Sequence, residues 1–383
     1  MPVKYFIVLP GVAGSFEEEC RQCLNQLVEI RNSGYTPLKI NIFIEQPDFE
    51  AFLSARKSVA TAVDDAFKDA CPALSITVQP PERSYKIAIE AAFIVPGSLK
   101  ITSKSYKSIP YIICESESGK GIWAGGVSGY SHPDDTRIAA VKAFDLMLEI
   151  LENEKMSADN IVRQWNYIGN ILNVSEEIQN YQIFNEVRSE YYHRYRNTKG
   201  YPAATGIGMK HGGVILDFFA LKPDKSVIIN PVSNPDQVNA YDYGQQVLKG
   251  FPDKRNSIKH PPQFERGLIL SNKKDTTLFI SGTAAIIGQD TIGADDIGKQ
   301  TLVTIENIRK VADRNRISSI TGRQMLYEEK FSLLRVYIKR QNDFKLVRTI
   351  CSDHFPQIPA IFLEADICRD DLLVEIEAEV ELN

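Results

Sequence analysis

The sequence predicts an α+β fold in which three related modules follow one another and pack around a common axis as a pseudo-trimer. The order strand, helix, strand, helix and closing strands recurs three times in the 383 residues. A Pro-Ala pair precedes the closing strands of each copy, beginning at Pro72, Pro202 and Pro359. A sheet covered by helices on one face leaves its other face bare, so three copies bury those faces against one another. We therefore expect helices on the outside and sites at the seams between modules.

The first module is expected to span residues 1–105. A capping box from Ser15 to Glu18 precedes apolar residues at helical spacing, which predicts a helix to about Asn32. The other expected elements are a first strand near Tyr5, a strand from Leu38 to Ile44, a helix from Asp48 to about Ala70, a strand after Pro72 and a closing strand from Tyr85 to Ile94.

The second module, residues 106–222, repeats this order. Its first helix is expected to begin at Asp134 or Asp135, because aspartate is a preferred N-cap residue. The other expected elements are a hairpin of Tyr111 to Cys114 with Gly121 to Ala124, a strand from Val162 to Ile168, a helix from Glu177 to about Tyr195, and a closing strand from Val214 to Ala220.

A stretch rich in proline and asparagine, residues 223–262, lies between the second and third modules and has no counterpart elsewhere. About forty residues is far above the usual length of a connection, so the stretch is either disordered or builds a functional wall. Its tyrosines favour order, because a flexible spacer needs no aromatic anchors.

The third module spans residues 263–383. It follows the same order as the first two, with a shorter second helix. The expected elements are a hairpin of Leu268 to Leu270 with Thr277 to Ser281, a helix from Asp295 or Asp296 through Val311, a strand from Leu333 to Ile338, a short helix from Asp343, and the last strand.

That last strand is the most informative stretch of the chain. From Asp371 to Glu379, apolar residues alternate with glutamates, which is the pattern of a half-buried strand. Spacing from the Pro-Ala pairs places Ala88 and Asp217 at the position of Glu375. Only the third copy then has glutamate there, so we expect one working site per chain. Glu379 is expected to face solvent.

Composition indicates an ordinary globular protein. Hydrophobic residues make up 43% of the chain, and 44 basic against 49 acidic residues give a net charge of −5. This balance does not favour a nucleic-acid or anionic-membrane partner, and no stretch is long enough to span a membrane. The six cysteines are scattered, which favours free thiols in a reducing, cytoplasmic compartment, and Cys20 and Cys23 lie on an apolar helical stripe. Histidine spacing and glycine loops match no metal or nucleotide motif, so no cofactor and no metal are expected.

Several motifs of the third module resemble the RidA (YjgF) family. They are the stretch from Leu278 to Ala284, a helix with Gln300 and Asn307, and the ending from Val374 to Glu377. That family consists of homotrimers with ligand sites between subunits. The resemblance therefore implies that this chain is a fused trimer of RidA-like (chorismate mutase-like) modules, able to work as a monomer.

A larger set of motifs, from about residue 160 to the C-terminus, resembles the chorismatases, which remove pyruvate from chorismate. The resemblance implies an enzyme whose partner is this small molecule. The motifs are Arg163 to Tyr167, Tyr181 to Asn185 with Arg188, Asn234 to Gln237, Ala240 to Tyr243, Phe264 to Arg266, Ser281 to Ala284, and Cys368-Arg369 before Leu373 to Glu377.

Cleavage of the enol ether of chorismate requires a proton donor to the methylene carbon, so a carboxylic acid must stay protonated near neutral pH. The resemblance assigns this catalytic role to Glu375. Apolar neighbours remove Glu375 from water, and Glu377 on the same strand face adds a like charge. Both effects favour the protonated form of Glu375.

Chorismate carries two carboxylates, and arginine is suited to planar, bidentate contacts with such groups. Each arginine could instead pair with a nearby surface acid, and a glycine in a strand is often a bulge. The hydroxyls and close backbone approach of the 281–284 stretch are also expected at the site. The substrate-binding candidates are Arg369, Arg335, Arg266, Arg188, Tyr241, Tyr337, Ser281, Gly282, Thr283 and Ala284.

Cys368 in the chorismatase pattern resembles the branch that forms 3-hydroxybenzoate, in which a ring hydroxyl attacks the activated carbon. A lone buried cysteine is otherwise a small packing residue. Alanine rather than glycine at Ala284 or Ala285 departs from that pattern, which leaves 4-hydroxybenzoate open as a product. The alternatives are hydrolysis to a dihydroxycyclohexadiene carboxylate, a ligand-binding regulator, and a RidA-like imine or enamine deaminase. Ile361 stands where a deaminase of that family has arginine.

Overall fold

The structure is a computed structural model that describes residues 3–68, 70–95, 97, 99–129, 135–175, 178–248, 258–272, 275–324 and 330–382. Two expected helix starts, Asp134 and Glu177, lie outside these residues. Within them, every helix is too short or too polar to cross a lipid bilayer.

The first module forms a four-stranded sheet with two helices. The capping box at Ser15 is confirmed: its hydroxyl accepts the backbone N–H of Glu18, and the Glu18 side chain accepts that of Ser15. The sheet order is β1-β4-β2-β3, with β2 and β3 parallel. The elements are β1 (Val3–Val8), α1 (Phe16–Asn32), β2 (Thr36–Ile44), α2 (Phe49–Ala66), β3 (Ala73–Thr77) and β4 (Ile87–Ile94).

The second module forms a six-stranded sheet in the order β11-β8-β12-β7-β6-β5. Asp135 is the N-cap of its first helix, with its carboxylate accepting the N–H of Ile138 at 2.9 Å. The elements are β5 (Lys100–Tyr106), β6 (Ile109–Ser116), β7 (Gly119–Ser128), α3 (Thr136–Asn153), β8 (Ile161–Gly169), β9 (Val174–Ser175), β10 (Ile178–Gln179), α4 (Asn180–Tyr195), β11 (Ala203–Met209) and β12 (Val214–Pro223).

The third module forms a six-stranded sheet in the order β13-β14-β15-β20-β18-β19. Its first strand comes from the stretch expected to connect the modules, and α6 is a helix that the sequence patterns missed. The elements are β13 (Ile228–Val232), β14 (Gly267–Ser271), β15 (Thr276–Ala284), β16 (Ile286–Ile287), β17 (Asp290–Thr291), α5 (Ile297–Val311), α6 (Arg314–Thr321), β18 (Lys330–Ile338), α7 (Phe344–His354), β19 (Ala360–Glu364) and β20 (Val374–Leu382).

The three sheets have one topology, which confirms the predicted α+β fold of repeated modules. In each, the closing strand β4, β12 or β20 lies between two antiparallel neighbours. The strand after Pro-Ala lies parallel at the edge, as β3 beside β2, β11 beside β8 and β19 beside β18. A parallel pair requires a crossover connection, and the second helix of each module provides it.

The outer face of each sheet packs against the helices of its own module. In the third module, Ile305 and Ile308 of α5 share one buried cluster with Leu334, Val336 and Ile376 of the central strands. Strand side chains alternate between faces, so the residues between these apolar ones point the other way, toward the axis.

The inner faces meet at an axis that is charged as well as apolar. Strand register places three carboxylates at matching points of the closing strands β4, β12 and β20. Glu90 lies opposite Asn41 of β2, Asp217 opposite Trp165 of β8, and Glu377 opposite Arg335 of β18. Each carboxylate pairs with a cation of another module. The pairs are Glu90 with Arg335 at 2.7 Å, Asp217 with Lys39 at 2.7 Å, and Glu377 with Arg163 at 2.8 Å.

This register corrects the expected alignment of Asp217 with Glu375. Glu375 lies opposite Tyr337, and the matching position of the second module is Ile215, opposite Tyr167. The stretch from Pro202 to the matching residue of β12 is shorter than its counterparts in the other two modules, so counting from the proline overshoots by two residues. Because the side-chain period of a strand is two, the error preserved the face and changed only the depth along the axis.

Replacing Lys39 with methionine should destabilise the fold by about 3–5 kcal/mol, because Asp217 would remain buried without its cation. Both side chains are nearly inaccessible to water. The free energy of unfolding in urea measures the loss. The matched control is Lys68→Met, which removes a solvent-exposed pair with Asp65 and should cost about 0–1 kcal/mol. Equal losses in the two variants would show that the axial pair contributes nothing special.

Candidate active site

A cavity lies at the seam between the second and third modules. Its walls come from β11 and the start of α4 on one side, from β15, β20 and the loop before β20 on the other, and from the connecting stretch above. The lining residues are Gln179, Tyr181, Gln182, Asn185, Ala204, Gly206, Tyr243, Val247, Leu248, Pro262, Phe264, Arg266, Gly282, Ala284, Ile286, Cys368, Arg369, Leu372 and Glu375.

Glu375 reaches this cavity from the second residue of β20. It lies between Ala284 of β15 and Tyr337 of β18 in the sheet and is 5% exposed. Its carboxyl lies directly over Gly282, where an added Cβ would be 2.1 Å from Glu375 Oε1. The β15–β20 register shifts between Ile280 and Thr283, so Gly282 is also part of a bulge. The bulge and the absent side chain together make room for the acid.

The surroundings of Glu375 favour its protonated form. Burial, and next the negative charge of Glu377, raise the pKa of Glu375 to about 8, against a smaller opposing effect of Arg163 and Arg266. The carboxyl therefore holds its proton at neutral pH. A buried, protonated carboxyl at a cavity wall can act as a general acid.

Cys368 faces Glu375 across the cavity as a neutral thiol. Burial and the neighbouring Glu375 raise the pKa of Cys368 to about 12. A thiol must lose its proton to become a good nucleophile, so Cys368 contributes a small, uncharged surface to the cavity wall.

Two of the four candidate arginines line the cavity, and they lie on the ring of the same tyrosine. The guanidinium carbons of Arg266 and Arg369 are 5.6 and 5.2 Å from the centre of the Tyr243 ring. Arg266 also donates to the Tyr243 hydroxyl and to the Val238 carbonyl, at 2.7 and 2.8 Å. Among the described residues, the buried Nε of Arg266 has no hydrogen-bond partner. This N–H is available to an anionic ligand.

Arg188 and Tyr241 lie behind the cavity wall. The guanidinium of Arg188 donates to Oδ1 of Asn185 at 2.7 Å, and Asn185 is a lining residue. The hydroxyl of Tyr241 is 3.4 Å from a carboxylate oxygen of Glu265, and its ring packs on Tyr201. Neither side chain lines the cavity; Arg188 orients one that does.

The side chains of Ser281 and Thr283 were expected at the substrate site but do not line the cavity. Ser281 donates to the Glu265 carbonyl at 2.5 Å and accepts the N–H of Ala204 at 2.9 Å, which joins the modules. Thr283 donates to the Ser281 carbonyl at 2.8 Å. Only the two small residues of this stretch, Gly282 and Ala284, line the cavity.

Arg335 and Tyr337 were expected at the substrate site and instead lie at the axis. Arg335 is 1% exposed and binds both carboxylate oxygens of Glu90, at 2.8 and 2.7 Å, as well as Glu377 at 2.9 Å. It also donates to the Tyr337 hydroxyl at 3.3 Å. The two residues do share one strand face, as their spacing indicated. That face is the inner one, and at their positions it packs at the axis and does not line the cavity.

Glu379 is not solvent-facing as expected, because the first module covers it. It is 7% exposed and accepts a hydrogen bond from the Tyr5 hydroxyl at 2.6 Å. Burial raises the pKa of Glu379 to about 7, and the bond from Tyr5 opposes this.

Sequence reasoning placed the lining residues of α4, and Tyr243, in motifs that resemble the chorismatases but did not name them as site residues, and it missed Val247 and Leu248. Tyr181, Gln182 and Asn185 begin a helix in which polar residues are buried along with apolar ones. Buried amides on a helix require partners or a ligand, and that pattern was the available signal. No group of three or more His, Cys, Asp or Glu side chains among the described residues is arranged to hold a metal ion.

Fold and site define a fused, RidA-like pseudo-trimer with an acid-bearing cavity at one seam. The family model described as chorismatase FkbO/Hyg5-like, N-terminal, matches residues 117–220. A 3-hydroxybenzoate synthase of Streptomyces hygroscopicus is 32% identical over 254 residues, covering 65% of this chain and 70% of that protein. A chorismatase of Streptomyces rapamycinicus is 31% identical over 226 residues, covering 58% and 64%.

A crystal structure of a chorismatase aligns with this chain at a TM-score of 0.65 and 20% identity, and the alignment covers 99% of each chain. The fold is therefore shared from end to end, including the first module. This chain belongs to the chorismatase family.

Replacing Glu375 with glutamine should stabilise the protein, and more so as pH rises. The folded-state pKa of about 8 lies above that of an exposed carboxyl in the unfolded chain, so the wild type loses stability between about pH 4.5 and 8. Glutamine cannot ionise and avoids this loss. We expect equal free energies of unfolding near pH 4 and a gain on the order of 5 kcal/mol at pH 9. A gain independent of pH would contradict the raised pKa.

Proposed function

We propose that this chain cleaves chorismate to pyruvate and a hydroxybenzoate, with 3-hydroxybenzoate as the main product. The observation that carries this proposal is a buried carboxyl, protonated at neutral pH, in a seam cavity with Arg266 and Arg369. The names of the homologous 3-hydroxybenzoate synthase and chorismatase give the same substrate and product class.

Glu375 acts as the general acid. It gives its proton to the methylene carbon of the enolpyruvyl group, and positive charge develops on the carbon that carries the ether oxygen. The ring hydroxyl then attacks that carbon and loses its proton, which gives a cyclic ketal. Loss of a ring proton with cleavage of the bond between the ring and the attacking oxygen makes the ring aromatic. Collapse of the hemiketal that remains breaks the original ether bond on the pyruvyl side, so the ether oxygen stays on the ring as the hydroxyl of 3-hydroxybenzoate and the attacking oxygen leaves in pyruvate. Chorismate divides between the two products without net consumption of water, in contrast to the hydrolytic branch.

The apolar part of the cavity supports attack by the ring hydroxyl rather than by water. Much of its lining offers no hydrogen-bonding side chain. Val247 and Leu248 come from the connecting stretch, and Phe264, Ile286 and Leu372 come from the third module. A bound ring that fills this space displaces water from the activated carbon. The neutral thiol of Cys368 borders the same space.

Arg266 and Arg369 hold substrate carboxylates in this proposal. Both guanidinium groups flank Tyr243, so the ring of that tyrosine fixes their positions. The unpaired Nε of Arg266 adds a donor, and bonds between charged partners are the strong ones. Arg188 acts through Asn185.

We also propose that the chain works as a monomer in the cytoplasm. A single chain supplies three modules and both walls of the cavity, so a second copy has no residue to add. The proposed division is modules of residues 1–105, 106–222 and 263–383, with 223–262 as the connection. Strands β5 (Lys100–Tyr106) and β13 (Ile228–Val232) depart from these bounds, because they pair in the second and third sheets.

Purified protein mixed with chorismate should release pyruvate and 3-hydroxybenzoate in equal amounts. Chromatography measures both products. Glu375→Gln should lower kcat roughly 10²- to 10⁴-fold, because the general acid is lost while the shape of the site is kept. Circular dichroism checks that the variant is folded. A wild type that releases no pyruvate contradicts the proposal, and ammonia released from an enamine would indicate a deaminase instead. A dihydroxycyclohexadiene acid would indicate hydrolysis.

Replacing Arg266 with methionine should raise KM for chorismate about 10- to 100-fold, because a charge-assisted contact to a carboxylate is lost. Methionine keeps much of the length of the apolar stem and removes the guanidinium, which lies over the Phe264 ring. The control is Arg316→Met on α6, where the arginine donates to the Ser233 carbonyl away from the cavity. An unchanged KM in Arg266→Met would assign the substrate carboxylates to other donors.

A further inference from the structure

We propose that Thr205 is a positioning residue, which holds the backbone of Gly282 against Glu375 and ties the acid to the charged axis. Thr205 lies in β11 of the second module, whereas Gly282, Glu375 and its neighbour Glu377 belong to the third. The inference deepens the proposed function and rests on Glu375 as the acid.

The hydroxyl of Thr205 is fully used by three partners. It donates to Oε2 of Glu377 and accepts from Nη2 of Arg163 at 2.7 Å and from the backbone N–H of Gly282 at 3.0 Å. A hydroxyl has one donor and two acceptor sites, so no bond remains to be made. Thr205 is 1% exposed, and its orientation is determined by these contacts.

The contact with Gly282 concerns the space that the acid occupies. An added Cβ at Gly282 would be 2.1 Å from Oε1 of Glu375 and 3.0 Å from the Cγ2 methyl of Thr205. The Gly282 amide therefore has the Glu375 carboxyl near it and the Thr205 hydroxyl as its acceptor. The hydroxyl keeps that N–H engaged and directed away from the acid.

The other two contacts, with Glu377 and Arg163, concern the charge beside the acid. Glu377 is two residues from Glu375 on the same strand face and also accepts from Nε1 of Trp165 at 2.7 Å. Arg163, which binds Thr205, forms an ion pair with the same Glu377 at 2.8 Å. Thr205 thus joins the floor of the cavity to the ion pair between the second and third modules.

Loss of the hydroxyl should change the acid without changing substrate contacts. The Gly282 N–H would lose its acceptor, and the Glu375 carboxylate beside the same glycine would be available in its place. A hydrogen bond to the ionised form favours that form. Because Thr205 does not line the cavity, KM should be preserved.

The test compares Thr205→Val, which has nearly the same shape without the hydroxyl, with Thr205→Ser, which keeps the hydroxyl and loses the methyl. The wild type should lose kcat as pH rises through about 8, where Glu375 gives up its proton. We expect Thr205→Val to lower kcat on the order of tenfold and to move this fall to lower pH, with KM within about twofold. Thr205→Ser should retain the wild-type profile.

The second readout is independent of turnover. In protein labelled with ¹³C at the glutamate carboxyls, the Glu375 signal is identified by its absence in Glu375→Gln, and its titration midpoint should fall in Thr205→Val but not in Thr205→Ser. Unchanged midpoints and pH profiles in Thr205→Val, with only a lower melting temperature, would overturn the positioning role. If the wild type releases no pyruvate, the proposed function fails, while the titration still decides the effect of Thr205 on Glu375.

Discussion

Three buried ion pairs join the three modules across their common axis, and the rest of the molecule depends on them. Each carboxylate stands at the same point of a closing strand, and each finds its cation in a different module. A buried charge without its partner is strongly unfavourable, so no module can present its inner face alone. The pairs form a closed circuit: the third module serves the first, the first serves the second, and the second serves the third.

The same arrangement sets the chemistry of the seam cavity. Glu375 is two residues from Glu377 on the same face of β20. The Glu377 carboxylate is fixed by contacts with Arg163, Arg335, Trp165 and Thr205. An acid beside a fixed negative charge, and away from water, retains its proton. The stability of the assembly and the acidity of the site are therefore two results of one network.

The sequence was sufficient for the fold, because element order, Pro-Ala pairs and alternating strands repeat within the chain. It also named Glu375, Arg266 and Arg369, which line the cavity. It was not sufficient for the axis. Arg335 and Tyr337 share a face with one another as predicted, but a period of two cannot say whether that face meets a cavity or another module.

Register was the other limit. Connections of different length before the closing strands moved the apparent equivalent of Glu375 to Asp217, although hydrogen bonding aligns Ile215 there. The α4 residues of the cavity were not named as site residues for a related reason. A helix whose polar residues are buried has a weak pattern, and only the packed structure shows which of its sides meets a neighbour.

Fusion of the three modules into one chain has a consequence for how such a site can diverge. In a trimer of identical subunits, a substitution enters all seams at once, and a carboxyl that must stay protonated would be placed three times around one axis. In this chain, Ala88 and Ile215 occupy the positions that match Glu375. The chain therefore has the destabilising acid at one seam only. At the other two seams, the matching residues need only stabilise the contact between modules.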